Sequence, residues 1–269
     1  MQAGACPAQR RAGPSRRVWL FDLDNTLHDA SRAFGRLDGA MTDYITRELG
    51  LERAEADRLR LHYWRRYGAT LLGLERHHGI RAAHFLHHTH VLPGLEAELL
   101  AHPRDRAALR ALPGRKLVLT NAPAHYARRV LRALGLAPHF EAVIAIERMR
   151  LFGRLRPKPD ARMLRALLAR LGVAPRRCVL VEDTLAHQRA ARALGLGTAW
   201  MQRYLRGHAH GPEVGARLHR RPGYVCARIR SLQKLRSAFP EPTAERLACP
   251  HVRIAPHRTA RQRARRRPG

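Results

Sequence analysis

The chain has few cysteines and no long apolar segment, and each absence excludes a class of protein. The four cysteines among 269 residues show no C-x-x-C spacing, so neither a zinc site nor a disulfide framework is predicted. No stretch approaches the roughly 18 apolar residues that can span a bilayer. Residues 1–17 also lack the apolar stretch of a secretory signal. We therefore expect a cytoplasmic protein that does not engage a membrane.

Lysine is almost absent, although the chain is strongly basic. The net charge is +30, and only Lys116, Lys158 and Lys234 among the 51 basic residues are lysines. This bias towards arginine indicates a pressure on codon composition rather than selection for a nucleic-acid surface. The charge is concentrated towards the ends of the chain, and we predict that residues 1–17 and 238–269 are disordered basic segments. No specific nucleic-acid partner is predicted for them.

Between these ends, the apolar pattern predicts an α/β fold. Short apolar runs alternate with helical periodicity over residues 111–237, which is typical of βαβ units around a parallel sheet. Residues 30–110 have helical periodicity and almost no strand signal. We therefore predict a Rossmann-like parallel sheet core, formed by residues 18–29 and 111–237, with an inserted all-helical cap at residues 30–110. The predicted helices include residues 31–49, 53–78 (with a break at Gly68 or Gly73), 81–88, 161–171 and 186–194, and the later strands include 116–122, 141–146, 177–183, 197–201 and 224–229.

Two aspartates follow the first predicted strand and are the strongest indication of chemistry. The apolar run that ends at Phe21 leads into Asp22 and Asp24, and side chains two residues apart point the same way on a strand. Both carboxylates would lie at the carboxyl end of the strand, where open α/β sheets bind ligands. Their repulsion is relieved by a cation or a shared proton, which suits Mg²⁺ and a pair of nucleophile and general acid/base. An Asp-rich turn is the alternative.

Three further segments place polar groups at the same predicted edge. Thr120 and Asn121 end a strand, where a hydroxyl and backbone amides either cradle a phosphate or cap a helix. Lys158 lies between two prolines that stiffen its loop, and its compact ammonium suits one anionic target; a solvated loop lysine is the alternative. Glu182 and Asp183 end another strand, and they would either complete a Mg²⁺ site with the first pair or cap the next helix.

In this order, the four segments resemble the motifs of the haloacid dehalogenase superfamily. The resemblance extends over residues 18–201, and the helical insertion resembles the C1 cap of that superfamily. Segments 63–71 (YWRRYGATL) and 180–185 (LVEDTL) are similar to the bacterial pyrimidine 5′-nucleotidase branch. The resemblance implies Mg²⁺-dependent hydrolysis of a small phosphomonoester, with a nucleotide as the partner molecule.

The resemblance also implies a role for each acidic residue. Asp22 would attack phosphorus and form an aspartyl-phosphate, while Asp24 would protonate the leaving oxygen and then activate water. Mg²⁺ would be held by Asp22, the backbone carbonyl of Asp24 and Asp183, with Glu182 acting through water. The chain departs from the superfamily at His187, where Asn or Asp is usual, and this departure lowers the expected metal affinity rather than changing the reaction.

The remaining candidates would contact substrate. Thr120, Asn121 and Lys158 would bind the phosphoryl oxygens. Three residues of the predicted cap are candidates for substrate specificity, with helix packing as the alternative: Tyr63, Arg66 and Tyr67. The histidine-rich segment 77–90 is predicted to be solvated or to pack within the cap.

These observations leave several functions open. The leading hypothesis is an Mg²⁺-dependent phosphatase that acts through an aspartyl-phosphate on a pyrimidine nucleoside 5′-monophosphate. A phosphatase of a sugar phosphate or another small phosphomonoester is an alternative, and so is a phosphomutase, which shares all four motifs. Haloacid dehalogenation is disfavoured, because that chemistry needs no acid at position 24. An alternative outside the enzymes is a polyanion-binding protein whose haloacid dehalogenase-like core has lost its activity.

Overall fold

The computed structural model describes residues 17–100, 102–205 and 220–240, which contain one six-stranded parallel sheet and one short hairpin. The predicted disordered segments lie outside the described residues, apart from residue 17 and residues 238–240. The strands are β1 (Val18–Phe21), β2 (Arg115–Leu119), β3 (Ala142–Ile144), β4 (Arg150–Leu151), β5 (Arg154–Leu155), β6 (Cys178–Glu182), β7 (Gly197–Met201) and β8 (Ala227–Ile229).

The sheet has the order β3-β2-β1-β6-β7-β8, and all of its neighbours are parallel. Strand β1 is central, with Trp19 and Phe21 in one apolar cluster and Val18 and Leu20 in another. This division follows from the two-residue alternation of a strand, and both faces are covered, as is usual for parallel sheets. The predicted α/β fold with a Rossmann-like parallel sheet is confirmed. Because the chain order reverses at β1, the ends of β1 and its neighbours form the switch point at which such sheets bind ligands.

Six helices connect β1 to β2 within the described residues. They are α1 (Ser31–Leu49), α2 (Arg53–Tyr67), α3 (Thr70–His78), α4 (Ala82–His90), α5 (Leu95–Glu98) and α6 (Asp105–Ala111). Buried side chains of α1 to α4, including Tyr44, Tyr63, Leu74 and Phe85, form an apolar cluster of their own together with Ile146 and Leu155. The assignment of residues 30–110 to a helical cap stays a prediction.

The break predicted in the second helix lies at Gly68 rather than Gly73. Gly68 adopts a left-handed φ of 79°, and its N–H donates to Trp64 O, which is a common way for a helix to end. Gly73 is inside α3, where a Cβ atom would approach the ring of Tyr63 to 2.1 Å. The glycine at position 73 therefore serves close packing and does not interrupt the helix.

The remaining helices lie between the strands or after the sheet. They are α7 (Ala124–Ala133), α8 (Ala161–Leu171), α9 (Leu185–Ala193) and α10 (Lys234–Ala238). Helix α8 begins where the Asp160 carboxylate accepts from the backbone N–H groups of Arg162 and Met163, and it ends at Gly172, whose φ is 60°. In the described part of the chain, none of the helices combines the length and the apolar character needed to cross a membrane.

The folded part extends beyond the predicted boundary at residue 238. Ala238 is the last residue of α10, and the Phe239 ring packs edge-on against Trp19 with a centroid distance of 5.9 Å. The ring of Phe239 is half-buried against the apolar cluster that contains Trp19. This packing was not predicted, because the sequence around Phe239 is basic and rich in proline. The hairpin β4–β5 and the helices α5 and α6 were also not predicted.

Candidate active site

The loop after β1 folds back on itself and holds its aspartates at the carboxyl edge of the sheet. The N–H of Leu27 donates to Leu23 O at 2.9 Å, which closes the turn. Asn25 adopts a left-handed φ of 56°, a region that Asn tolerates better than most residues. Its Oδ1 accepts from the backbone N–H of Ala30 at 3.1 Å. Local chemistry of the sequence therefore fixes the loop that carries Asp22 and Asp24.

Lys158 joins two of the predicted acidic residues. Its Nζ donates to Asp22 Oδ1 at 2.6 Å and to Glu182 Oε2 at 2.7 Å, and only 2% of its side chain is exposed. Burial alone would lower the pKa of Lys158, but the two carboxylates outweigh it and hold the pKa above its usual value. The ammonium therefore stays charged inside the protein.

Asn121 holds the loop that carries the lysine. Its Nδ2 donates to Lys158 O at 3.0 Å, and its Oδ1 accepts from the Lys158 N–H at 2.9 Å. Because the Asn121 side chain is engaged in this way, a phosphate contact by Asn121 is left to its backbone N–H. Thr120 is buried, and its Oγ1 accepts from the N–H of Ala122 at 3.0 Å. A hydroxyl that accepts in this way can still donate its proton to a phosphoryl oxygen.

Three carboxylates converge beside this lysine. Asp22, Glu182 and Asp183 each offer an oxygen within 4.8 Å of the others. Burial, followed by repulsion from Glu182, raises the pKa of Asp22 to about 6 and raises that of Asp183 well above its usual value. Burial would raise the pKa of Glu182 as well, but Lys158, His187 and a hydrogen bond with Asp183 together outweigh burial and lower this pKa.

This group of side chains fits a divalent cation. In the described part of the chain, Lys158 is the one ammonium paired with these carboxylates, so the four groups carry an excess of two negative charges when all are ionised. Oxygen ligands of this kind suit Mg²⁺, and a bound cation would offset the repulsion that, after burial, contributes to the two raised pKa values. Asp22 and Asp183, with Glu182 beside them, are the residues that would hold it.

His187, the departure from the superfamily pattern, lies against the same group. Its Nδ1 is 3.1 Å from Glu182 Oε2, and this neighbour contributes to the lowered pKa of Glu182, after Lys158. The imidazole therefore contacts the acidic cluster one helical turn after Asp183.

Asp24 has two partners that the sequence analysis did not identify. The hydroxyl of Tyr126 donates to Asp24 Oδ1 at 2.9 Å, and His28 Nε2 lies 3.0 Å from the same oxygen. Tyr126 belongs to the apolar stripe of α7, with Ala127 and Val130, so its spacing indicated only a core residue. The one sequence signal for His28 was its position four residues after Asp24, inside the motif.

The three cap candidates contact one another and the neighbouring helix. Tyr63 is buried, and its hydroxyl pairs with His78 Nε2 at 2.8 Å, which is the packing role considered for it. Tyr67 pairs through its hydroxyl with His77 Nε2 at 2.6 Å and accepts from Arg66 Nε at 3.1 Å. Within the described residues, these hydrogen bonds stay inside α2 and α3 and do not join the candidates to the acids. Contact of Arg66 or Tyr67 with substrate stays a prediction.

Known proteins are similar to this chain over most of its length. Residues 17–195 match the haloacid dehalogenase-like hydrolase family. Phosphate metabolism protein 8 of Saccharomyces cerevisiae is 26% identical over 196 residues, which are 68% of this chain and 61% of that protein. The chain thus spans less than two thirds of the length of this curated relative.

Solved structures share the fold at low sequence identity. A HAD phosphatase from Thermococcus onnurineus superposes with a TM-score of 0.55 at 21% identity, over 82% of this chain and 96% of that one. A haloacid dehalogenase-like protein of Agrobacterium tumefaciens gives a TM-score of 0.51 at 21% identity, over 83% of this chain and 97% of that one.

Proposed function

The chain belongs to the haloacid dehalogenase-like hydrolase family, and on that premise we propose that it is a divalent-cation-dependent phosphatase of pyrimidine nucleoside 5′-monophosphates. The observation that carries the reaction is the convergence of Asp22, Lys158, Glu182 and Asp183 at the carboxyl edge of the sheet. A buried lysine beside a cation site suits the binding of a dianionic phosphoryl group.

In the first step, an oxygen of Asp22 attacks phosphorus. A bond forms between Asp22 and phosphorus while the bond from phosphorus to the leaving oxygen breaks. Asp24 gives that oxygen a proton, so the alcohol leaves in neutral form. In the second step, Asp24 takes a proton from water as the water oxygen attacks phosphorus. The bond between the Asp22 oxygen and phosphorus breaks, so inorganic phosphate is released and the Asp22 carboxylate is restored.

Positive charge and hydrogen-bond donors stabilise the phosphoryl oxygens during both steps. The ammonium of Lys158, the hydroxyl of Thr120 and the backbone N–H of Asn121 are the donors proposed for this role. Mg²⁺, held by Asp22, Asp183 and the backbone carbonyl of Asp24 with Glu182 nearby, would supply further positive charge when bound. Fixed donors of this kind need little reorganisation as the charge on the phosphoryl group shifts.

The choice of a pyrimidine nucleotide rests on two short segments and on two side chains of the predicted cap. Segments 63–71 and 180–185 are similar to the pyrimidine 5′-nucleotidase branch. The exposed Arg66 and the half-buried Tyr67 would offer a cation and an aromatic ring to a nucleobase. The proposed organisation, with a catalytic core and a helical cap at residues 30–110, would place these two groups on the part of the protein that selects substrate.

A phosphate-release screen tests the reaction and the substrate separately. The substrates are pyrimidine and purine nucleoside 5′-monophosphates and hexose phosphates, each with Mg²⁺ and with EDTA. We expect the highest kcat/KM for pyrimidine nucleotides, loss of turnover with EDTA and loss of turnover in Asp22→Asn. Asp24→Asn should be slower by about 10²-fold or more. Asp43→Asn, on an exposed aspartate of α1, is the matched control and should behave as wild type.

Each alternative gives a different result in this screen. Preference for a hexose phosphate would contradict the nucleotide assignment and leave the reaction intact. An isomerised sugar phosphate without free phosphate would indicate a mutase. Polyanion binding by a protein that turns over none of these substrates would overturn the proposal.

A further inference from the structure

The two oxygens of Asp24 have different surroundings. Oδ1 is contacted by the Tyr126 hydroxyl at 2.9 Å and by His28 Nε2 at 3.0 Å. Among the described residues, none of the hydrogen bonds of Asp24 involves Oδ2. A carboxyl group turns about its terminal torsion with little resistance, but two contacts on one oxygen restrict that rotation.

His28 is itself held in place at its other ring nitrogen. Its Nδ1 lies 3.1 Å from the carbonyl oxygen of Asp29, and its Nε2 faces the carboxylate of Asp24. Since a carbonyl and a carboxylate only accept, both ring nitrogens donate, as they do in the imidazolium form. The side chain is fully buried, in the same folded loop as Asp24. A buried imidazole with fixed contacts at both nitrogens has one available orientation, so it presents Nε2 to Asp24 at a defined place.

Tyr126 approaches Asp24 from a different element. It lies in α7, and its fully buried ring packs edge-on against His90 of α4 at a centroid distance of 5.8 Å. Burial and the nearby Asp24 carboxylate raise the pKa of Tyr126 above its usual value. The phenol therefore keeps its proton and acts as a donor at neutral pH.

We infer that His28 and Tyr126 are positioning residues for the general acid/base, because together they hold Oδ1 of Asp24 and leave Oδ2 to exchange a proton with substrate and water. This inference rests on the proposed phosphatase reaction. Neither residue touches the phosphoryl group in this assignment. Both act by restricting the orientations of a carboxyl group whose efficiency in proton transfer depends on its geometry.

Variants of His28 and Tyr126 should lose phosphatase activity to a degree that depends on the leaving group. An alcohol or phenol of high pKa needs a proton as it departs, whereas p-nitrophenolate departs without one. A misplaced Asp24 should therefore slow the hydrolysis of phenyl phosphate much more than that of p-nitrophenyl phosphate. A merely structural defect would slow both to the same degree.

The experiment measures kcat/KM over a series of substituted phenyl phosphates, because kcat/KM reports the step in which the leaving group departs. Tyr126→Phe removes one oxygen and keeps the ring that packs against His90. It should lose roughly tenfold or more on phenyl phosphate and less than about threefold on p-nitrophenyl phosphate. His28→Leu should behave in the same way, and His28→Gln, which keeps an N–H donor, should recover part of the loss.

Tyr44→Phe is the matched control, since Tyr44 is also buried and pairs its hydroxyl with a histidine, His84, at 2.7 Å. It should leave the leaving-group dependence unchanged. Equal losses across the series in Tyr126→Phe would overturn the inference, and this variant decides the question alone if His28→Leu does not fold. Failure of the proposed function looks different, because the wild-type protein would then release no phosphate from any member of the series.

Discussion

Lys158 Nζ lies 2.6 Å from Asp22 Oδ1, and this ion pair joins the proposed nucleophile to a residue 136 positions later in the chain. The same ammonium donates to Glu182 at 2.7 Å. One buried positive charge thus contacts both the proposed nucleophile and the acidic group that would hold a cation. The position of the lysine, as well as its charge, should therefore matter for activity.

Lys158→Arg tests this requirement for position. A guanidinium keeps the charge, but it is planar and broad and does not replace a compact ammonium in a buried site. We expect kcat/KM for phosphate release to fall by about 10²-fold or more. Lys116→Arg is the control, because Lys116 donates to the carbonyl oxygens of Leu112 and Gly114, outside the site. Similar rates for Lys158→Arg and wild type would show that the loop is only structural.

His90 should make the stability of the protein depend on pH. Burial lowers its pKa from 6.5 to about 4, so the unfolded chain binds a proton at this residue over a pH range in which the folded protein does not. Stability is present above pH 6.5 and is lost as the pH falls towards 4, by up to about 3 kcal/mol.

Urea unfolding of wild type and His90→Gln between pH 7.5 and pH 4 measures this effect. The stability advantage of wild type over the variant should shrink as the pH falls. His87→Gln, on the exposed face of the same helix, should follow the wild-type pH dependence. A constant difference between wild type and His90→Gln would contradict the prediction.

Gly73 and Gly39 should respond in opposite ways to the same substitution. A Cβ atom at position 73 would lie 2.1 Å from the Tyr63 ring, whereas one at position 39 meets nothing within 4 Å. Gly73→Ala should therefore lower the free energy of unfolding by about 1–3 kcal/mol through overpacking. Gly39→Ala, in the interior of α1, should raise it by about 0.5–1 kcal/mol. Thermal unfolding of the two variants provides the comparison, and equal effects would mean that the α2–α3 packing is looser than described.

The C-terminal limit of the folded part can be located by two truncations. Removal of every residue after Phe239 should keep the fold and the phosphatase activity, and should weaken binding to polyanions in a salt-sensitive way. Removal of Phe239 as well should lower the free energy of unfolding by about 1–3 kcal/mol, since Trp19 loses its edge-on partner. Loss of activity in the protein truncated after Phe239 would show that residues beyond 239 belong to the functional part.

Elements with strong local signals were predictable from the sequence. Helix α8 has the predicted limits because Asp160 begins it and Gly172 ends it, and β7 is a compact apolar run bounded by glycine. The acids at the strand ends were predictable because the carboxyl ends of parallel strands meet at one edge of the sheet.

The missed features depend on contacts that spacing does not encode. Strands β4 and β5 have two residues each, too few for a periodic pattern, and their turn places Phe152 at a left-handed φ of 51°. Tyr126 looks like an ordinary core residue until the fold brings its hydroxyl to Asp24. Gly73 resembled a helix break because the ring that fills its space comes from another helix.

The central place of β1 in the sheet also has a consequence for biosynthesis. One neighbour of β1 is β6, which leaves the ribosome only after the helices and strands between them. At about 5–20 residues per second, that interval lasts roughly 8–30 s. Throughout this time, one edge of the apolar segment Val18–Phe21 lacks its native partner, and an unpaired strand edge is a template for association with other chains. The strand that leads into the site is therefore a segment of the nascent polypeptide that chaperones would protect from association with other chains.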